Sequence, residues 1–169
     1  MIRLLGCLMI AGGAAFLGFS AAGRLRGQMR ALDELTAALR LLEQELEHSA
    51  PGLEDLSFRL ARMARGAGGE LFRRFGQMLG ELGKYTAAEI WERAVSGLAR
   101  IDPETKYALL SLGEVLGRYD CTQQRVTVAA VRGRLERLRE LQEPTCRMRC
   151  RTFQTIGLSG GAFLVILLL

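Results

Sequence analysis

FQTIGLSGGAFLVILLL, residues 153–169, carries no charged side chain and ends at the last residue of the chain. As a helix rising about 1.5 Å per residue it reaches roughly 25 Å, near the hydrocarbon thickness of about 30 Å that a membrane span must cross. The stretch reads as an anchor. Arg147, Arg149 and Arg151 stand just before it, with no acidic residue between Pro144 and the end. The positive-inside rule then marks the near side as cytoplasmic.

Working outward, a second uncharged run lies at the other end, residues 4–22, rich in Ala and Gly and followed by Arg24, Arg26 and Arg30. A signal peptide competes for this run, since Ser20 and Ala22 suit a cleavage site before Gly23. Three Arg directly after the run oppose export, and the two collars agree in placing the intervening chain inside. The expected topology has the N-terminus outside, a first span at 4–22, a cytoplasmic domain at 23–143, a basic juxtamembrane segment at 144–152 and a last span at 153–169. Gly157 and Gly161 form a G-x-x-x-G pair, and Ala14, Gly18 and Ala22 repeat small residues every four. Such faces let membrane helices touch closely, which makes Gly18, Gly157 and Gly161 candidates for span packing.

The formal net charge of +5 and a pI near 9.4 raise the question of a nucleic-acid partner. The location of the charge answers it. Arg3 and the six Arg of the two collars account for seven of 23 basic residues, leaving 16 against 18 acidic ones. The domain is close to neutral, so the basicity belongs at a lipid surface, where anionic headgroups favour each Arg by roughly 1 kcal/mol. Cys7, Cys121, Cys146 and Cys150 are too few and too scattered for the disulfide framework of a small secreted domain.

Between the collars every hydrophobic pattern is helical. Leu25, Leu32, Leu39 and Leu46 recur every seven residues, with Leu35 and Leu42 on the adjoining line. This seam fits one long helix in a bundle, with a dimeric coiled coil as the rival. Ser49 to Gly52 break it, and Glu54 and Asp55 suit the positive end of a second helix whose apolar face is Leu53, Leu56, Leu60 and Met63. Gly66 to Gly69 are expected to form a loop, because each Gly costs a helix about 1 kcal/mol. A third helix carries Leu71, Phe72, Phe75, Met78, Leu79 and Leu82 and stops at Gly83. Thr86 and Glu89 make a capping box for a fourth, which buries Ile90, Trp91, Ala94, Val95 and Leu98. Asp102, Pro103 and Glu104 start a fifth, with Tyr107, Leu109, Leu110, Leu112, Val115 and Leu116, running to about Tyr119. Asp120 caps a sixth, whose stripe is Val126, Val131, Leu135, Leu138 and Leu141, before Pro144 interrupts or bends the way into the anchor. The fold class is all-α: about six helices in a cytoplasmic bundle flanked by two transmembrane helices.

Chemistry is sparse. The sequence has no P-loop, no dinucleotide-binding glycine fingerprint and no nucleophile elbow. His48, the single histidine, falls at a helix C-terminus, where a cation is favoured. Cys146 and Cys150 share a helical face but bring neither His nor further Cys for zinc. No catalytic residue, cofactor or metal site is expected. The alternation of Arg and Glu from Arg132 to Glu143 reads as a solvated, salt-bridged face. The densest stretch is SLGEVLGRYDCTQQ, residues 111–124, where Gly113 and Gly117 lie one turn apart and imply close helix contact or a bend. Its polar members Glu114, Arg118, Asp120 and Gln124 are candidates for binding a partner, beside the plainer reading of packing and capping.

The corner L-G-E-V-L-G-R-Y-D-C-T-Q-Q, residues 112–124, the passage E-L-E-H-S-A-P-G-L-E-D-L, residues 45–56, the Trp91 helix and the two terminal apolar runs together resemble the stage III sporulation protein AB family over the whole chain. The resemblance implies a bundle similar to the cytoplasmic domains of inner-membrane platform proteins in type II secretion. It implies a place in the channel complex joining mother cell and forespore of an endospore-forming bacterium, beside a cytoplasmic ATPase. The chain departs from the family in its preference for Arg over Lys and in its Cys pair. Expected partners are other channel proteins, including that ATPase, and membrane lipid but no nucleic acid, with a homo-oligomer left open. The alternative function is a membrane-anchored adaptor or structural coiled coil unrelated to secretion.

Overall fold

The computed structural model describes residues 2–48, 52–116 and 121–168, over most of 2–18 and 149–168 as backbone only. The described residues form six α-helices: α1 (Ile2–His48), α2 (Leu53–Met63), α3 (Gly66–Met78), α4 (Ala87–Ser96), α5 (Pro103–Gly113) and α6 (Cys121–Leu168), with a 3₁₀ turn at Leu79–Glu81. Their one β interaction is an isolated bridge between Leu82 and Tyr85. All-α is therefore the fold class, but the expected terminal spans are not separate helices. Residues 4–22 belong to the 47-residue α1, and residues 153–168 to the 48-residue α6, which continues through Pro144 without interruption. Among the described residues, no helix is long and apolar enough to cross a membrane.

Two compact units result, one from Met1–Met29 with Leu141–Leu169 and one from Arg30–Glu140. In the first, Ala22 of the small-residue repeat is buried, and Phe16 and Phe19 stand 73% and 59% exposed. Leu141, expected on the apolar stripe of the last helix, is also exposed there. Hydroxyls are tied to their own helix: Thr152 donates to the Met148 carbonyl at 3.0 Å and Ser159 to that of Thr155 at 2.8 Å.

The second unit holds the hydrophobic core. Leu32, Leu35, Leu39, Leu42 and Leu46 of the seam are all buried within the chain, against a cluster that includes Leu60, Leu71, Phe75, Trp91, Leu109 and Leu135. That is the packing of a bundle, and it leaves the seam unavailable for a dimeric coiled coil. Trp91 is fully buried. Phe75 meets its ring edge-on at 5.1 Å, Phe72 lies tilted at 6.0 Å, and its indole N–H donates to the Leu109 carbonyl at 2.7 Å. α5 comes so close that a Cβ on Gly113 would stand 2.9 Å from the Trp91 ring, which accounts for a glycine in mid-sequence there.

Several local expectations change. Gly66–Gly69 form not a loop but the first turn of α3. Gly68 lies where a Cβ would collide with the Ala38 methyl and stand 2.7 Å from the Glu34 carbonyl oxygen of α1. The glycines are the condition for close approach, and the carboxylate of Glu34 accepts from the Ala67 N–H at 2.8 Å, capping α3 from another helix. α5 ends at Gly113 rather than near Tyr119, giving way to a turn over 114–116. Met63, Leu82, Tyr107 and Val126, placed on buried faces by their periodicity, are half or more exposed. Met63 ends α2 and Leu82 lies beyond the 3₁₀ turn, whereas Tyr107 and Val126 stand within α5 and α6, off the faces that bury Leu109 and Leu112 and Val128, Val131 and Leu135. The capping box of α4 is present in both directions, Thr86 N–H to Glu89 at 2.7 Å and Glu89 N–H to the Thr86 hydroxyl at 3.3 Å. Asp102 accepts from Thr105 N–H at 3.0 Å, with Pro103 opening α5.

Candidate functional site

The corner singled out in the sequence is described in part. Glu114 is exposed in the turn after α5, and Gln124 is half-buried in the first turn of α6. Arg118, Asp120 and Gly117 lie outside the described residues. Of the collars, Arg24, Arg26 and Arg30 are exposed on α1, and Arg147 is exposed on α6 and paired with Glu143 at 2.8 Å. The side chains of Arg149, Arg151, Cys150 and His48 and the surroundings of Gly18, Gly157 and Gly161 lie outside the described residues. Cys146 is half-buried on α6. Among the described residues no group of three His, Cys, Asp or Glu could hold a metal ion.

What the structure adds is a line of ion pairs joining α1 to α6 within the second unit. Asp33 meets Arg139 at 2.6 Å, Arg40 meets Glu136 at 3.2 Å, Glu43 meets Arg132 at 2.9 Å, and Glu47 meets Arg125 at 3.4 Å. Arg132 also binds Glu136 on its own helix at 2.7 Å. The partners ascend α1 as they descend α6, the pattern of antiparallel helices that carry opposite charges beside an apolar seam. The Arg–Glu alternation after Arg132 is thus more than a solvated face, since its inner members reach across to α1. Asp33, Thr36, Arg40, Glu136 and Arg139 line a groove of about 460 Å³ between the two helices. The charged side chains that meet across it are paired with one another, so it stitches the bundle together and presents no free charge from these pairs to a ligand.

The electrostatics follow. Glu43 and then Glu136, hydrogen-bonded to the Arg132 guanidinium, raise its pKa, with burial pulling the other way. Burial pushes the Glu136 carboxyl up, but hydrogen bonds and charge from Arg132 and Arg40 outweigh it and hold the group below its ordinary value of 4.5. A carboxyl depressed on folding contributes stability that is fully present above its unfolded pKa and is lost as pH falls through the folded one. Thermal unfolding followed from pH 7 to pH 3 should therefore show the native chain losing stability below about pH 4.5. Glu136→Gln should flatten that fall, while Arg132→Ala should cost about 1 kcal/mol near neutral pH. An unchanged acid limb in Glu136→Gln would remove the ladder from the pH response. Glu70, hydrogen-bonded to Arg74, and Glu89, held by the Thr86 N–H and hydroxyl, are depressed in the same sense and account for acid sensitivity that persists.

Comparison with known proteins bears on the whole chain. The family model of stage III sporulation protein AB matches residues 3–169. Stage III sporulation protein AB of Bacillus subtilis (strain 168) is 24% identical over 172 residues, covering 100% of both chains. A solved structure of stage III sporulation protein AB (SpoIIIAB) aligns with a TM-score of 0.61 at 24% identity, over 72% of this chain and 97% of that one. That structural likeness carries the helical fold, and the family match, running almost from end to end, carries more. The chain belongs to the stage III sporulation protein AB family.

Proposed function

We propose that this protein is a membrane-anchored, non-enzymatic scaffold of the sporulation channel between mother cell and forespore, its helical bundle facing the mother-cell cytoplasm. In this role it couples a cytoplasmic ATPase to membrane components. The observation that carries the reading is the pair of terminal segments. Two charge-free runs, 4–22 and 153–169, are each bordered on the bundle side by three Arg, and both belong to one compact unit. Exposed Phe16 and Phe19, and hydroxyls of Thr152 and Ser159 already satisfied by their own helix, suit an apolar solvent that offers no hydrogen bonds. The collars, Arg24, Arg26, Arg30, Arg147, Arg149 and Arg151, then meet anionic headgroups. Gly18, Gly157 and Gly161 let the spans pack closely. The partner contact falls to the corner of Glu114, Arg118, Asp120 and Gln124, beside a bundle whose α1–α6 charges are paired internally.

Reporter fusions test the anchors. A reporter after Arg30 is expected to read as cytoplasmic and one after Leu169 as outside; an outside signal after Arg30 would sink the topology. Co-purification of the full-length chain with the cytoplasmic ATPase tests the coupling. Capture is expected to fall at least fivefold with Glu114→Arg combined with Gln124→Ala, and equal capture by both forms counts against this corner as the contact.

A further inference from the structure

We propose that the outward face of α2 is a self-complementary contact for a second copy of this chain, packed antiparallel across a two-fold axis. Leu56, Ser57 and Leu60 are buried, so the opposite line of the helix, Asp55, Phe58, Arg59 and Arg62, points away from the core. Asp55 and Arg62 are two turns apart, roughly 10.5 Å. Between them Phe58 is 50% exposed. Among the described residues neither Asp55 nor Arg62 has an ion-pair partner, whereas Arg59, beside Phe58, is bound to Glu45 at 2.7 Å.

Each charge suits its own end of the helix dipole. The dipole asks nothing of position 58, however, and there an aromatic ring stands half in water, at a cost that burial would recover. Acid, aromatic and base in order along one line have a geometric consequence. Turned end for end about an axis between residues 58 and 59, the line meets itself with Asp55 opposite the other copy's Arg62, Arg62 opposite its Asp55, and both Phe58 rings at the centre. Glu54 and the 51% exposed Met63 exchange places across the same axis. A two-fold contact requires this kind of self-match. An 11-residue helix offers less than the roughly 800 Å² per partner of a standard interface. The contact therefore belongs to the weak class, effective where copies are already held near one another. Its use in a shared assembly rests on the scaffold reading; the contact itself does not.

Oxidative cross-linking of the purified full-length chain carrying Phe58→Cys tests this, with the unsubstituted chain as the control for its four native thiols. The expected result is a disulfide-linked dimer above that control, reduced at least fivefold by adding Arg62→Glu. Adding Asp55→Arg as well should restore it, because the swap returns opposite signs to both ends of the axis. All three positions are exposed, so each variant should keep the thermal unfolding of the native bundle, which separates loss of contact from loss of fold. No dimer above the control overturns the proposal, as does a yield indifferent to Arg62→Glu or not recovered by the swap. Reporter topology and ATPase capture report on the scaffold reading alone, so either idea can fail without the other.

Discussion

Replacing Trp91 by alanine is expected to lower the stability of the bundle by about 3 to 5 kcal/mol, the range for emptying a fully buried aromatic site. Natural domains hold only about 5 to 15 kcal/mol in all, so this one change removes a large share. The reason lies in its surroundings. The indole is enclosed by Phe72 and Phe75 of α3, its N–H reaches the Leu109 carbonyl of α5, and Gly113 lets α5 close over it. Three helices thus converge on one side chain, and none can collapse into the space without leaving its other contacts. For a unit of this size the loss corresponds to a fall in midpoint on the order of 15 °C, read by circular dichroism. Trp91→Phe should cost about 1 to 2 kcal/mol, since it keeps most of the ring packing and gives up the hydrogen bond. If the alanine variant lost under 1 kcal/mol, the convergence of three helices on Trp91 would not be what holds α3 to α5.

The second large effect is expected at Gly68. One methyl group there must overlap the Ala38 methyl and press on the Glu34 carbonyl oxygen, which belongs to a rigid helix and cannot turn aside. α3 has to move off α1, and overpacking of this kind costs about 1 to 3 kcal/mol. The displacement also draws Ala67 away from the Glu34 carboxylate that caps it, so backbone and cap are lost together. A double-mutant cycle separates the causes. Ala38→Gly in the Gly68→Ala background should recover part of the loss, because it removes the methyl clash and leaves the carbonyl in place. Strict additivity of the two changes would mean that the helices do not touch at this point.

What could be read from the chain beforehand was what is local. The Thr86–Glu89 box and the Asp102–Pro103 start each use residues within one helical turn, and both are found as expected. The leucine seam from Leu32 to Leu46 announced its buried face by period alone. Residues 66–69 misled for the opposite reason. Their propensity argues against a helix, but the cap comes from Glu34, and the need for glycine comes from Ala38, about 30 positions away along the chain. Val126 and Tyr107 are apolar or aromatic by type, but the face each helix buries is the one that carries Val128 and Leu109. The ion pairs between α1 and α6 did leave a trace. Asp33, Arg40, Glu43 and Glu47 flank the seam at spacings of seven, three and four, and their partners Arg139, Glu136, Arg132 and Arg125 follow in reverse chain order at three, four and seven, with the opposite sign at each place. Matching the two series by sign would have paired the helices. For the corner, Glu114 and Gln124 were legible only as polar positions at helix ends.

The α1–α6 pairing also sets an order in time. Arg40 and Glu136 are 96 residues apart, and Glu43 and Arg132 are 89 apart, whereas α2 with α3 and α4 with α5 are immediate neighbours in the chain. During synthesis at about 5 to 20 residues per second, α2 to α5 can gather while the apolar side of α1 still lacks its last neighbour. Closure waits for the segment from Arg125 to Arg139 to leave the ribosome and pay the entropy of a long loop. The nascent chain therefore passes several seconds with leucines of α1 uncovered, and a chaperone that reads such stripes has its opportunity in that interval.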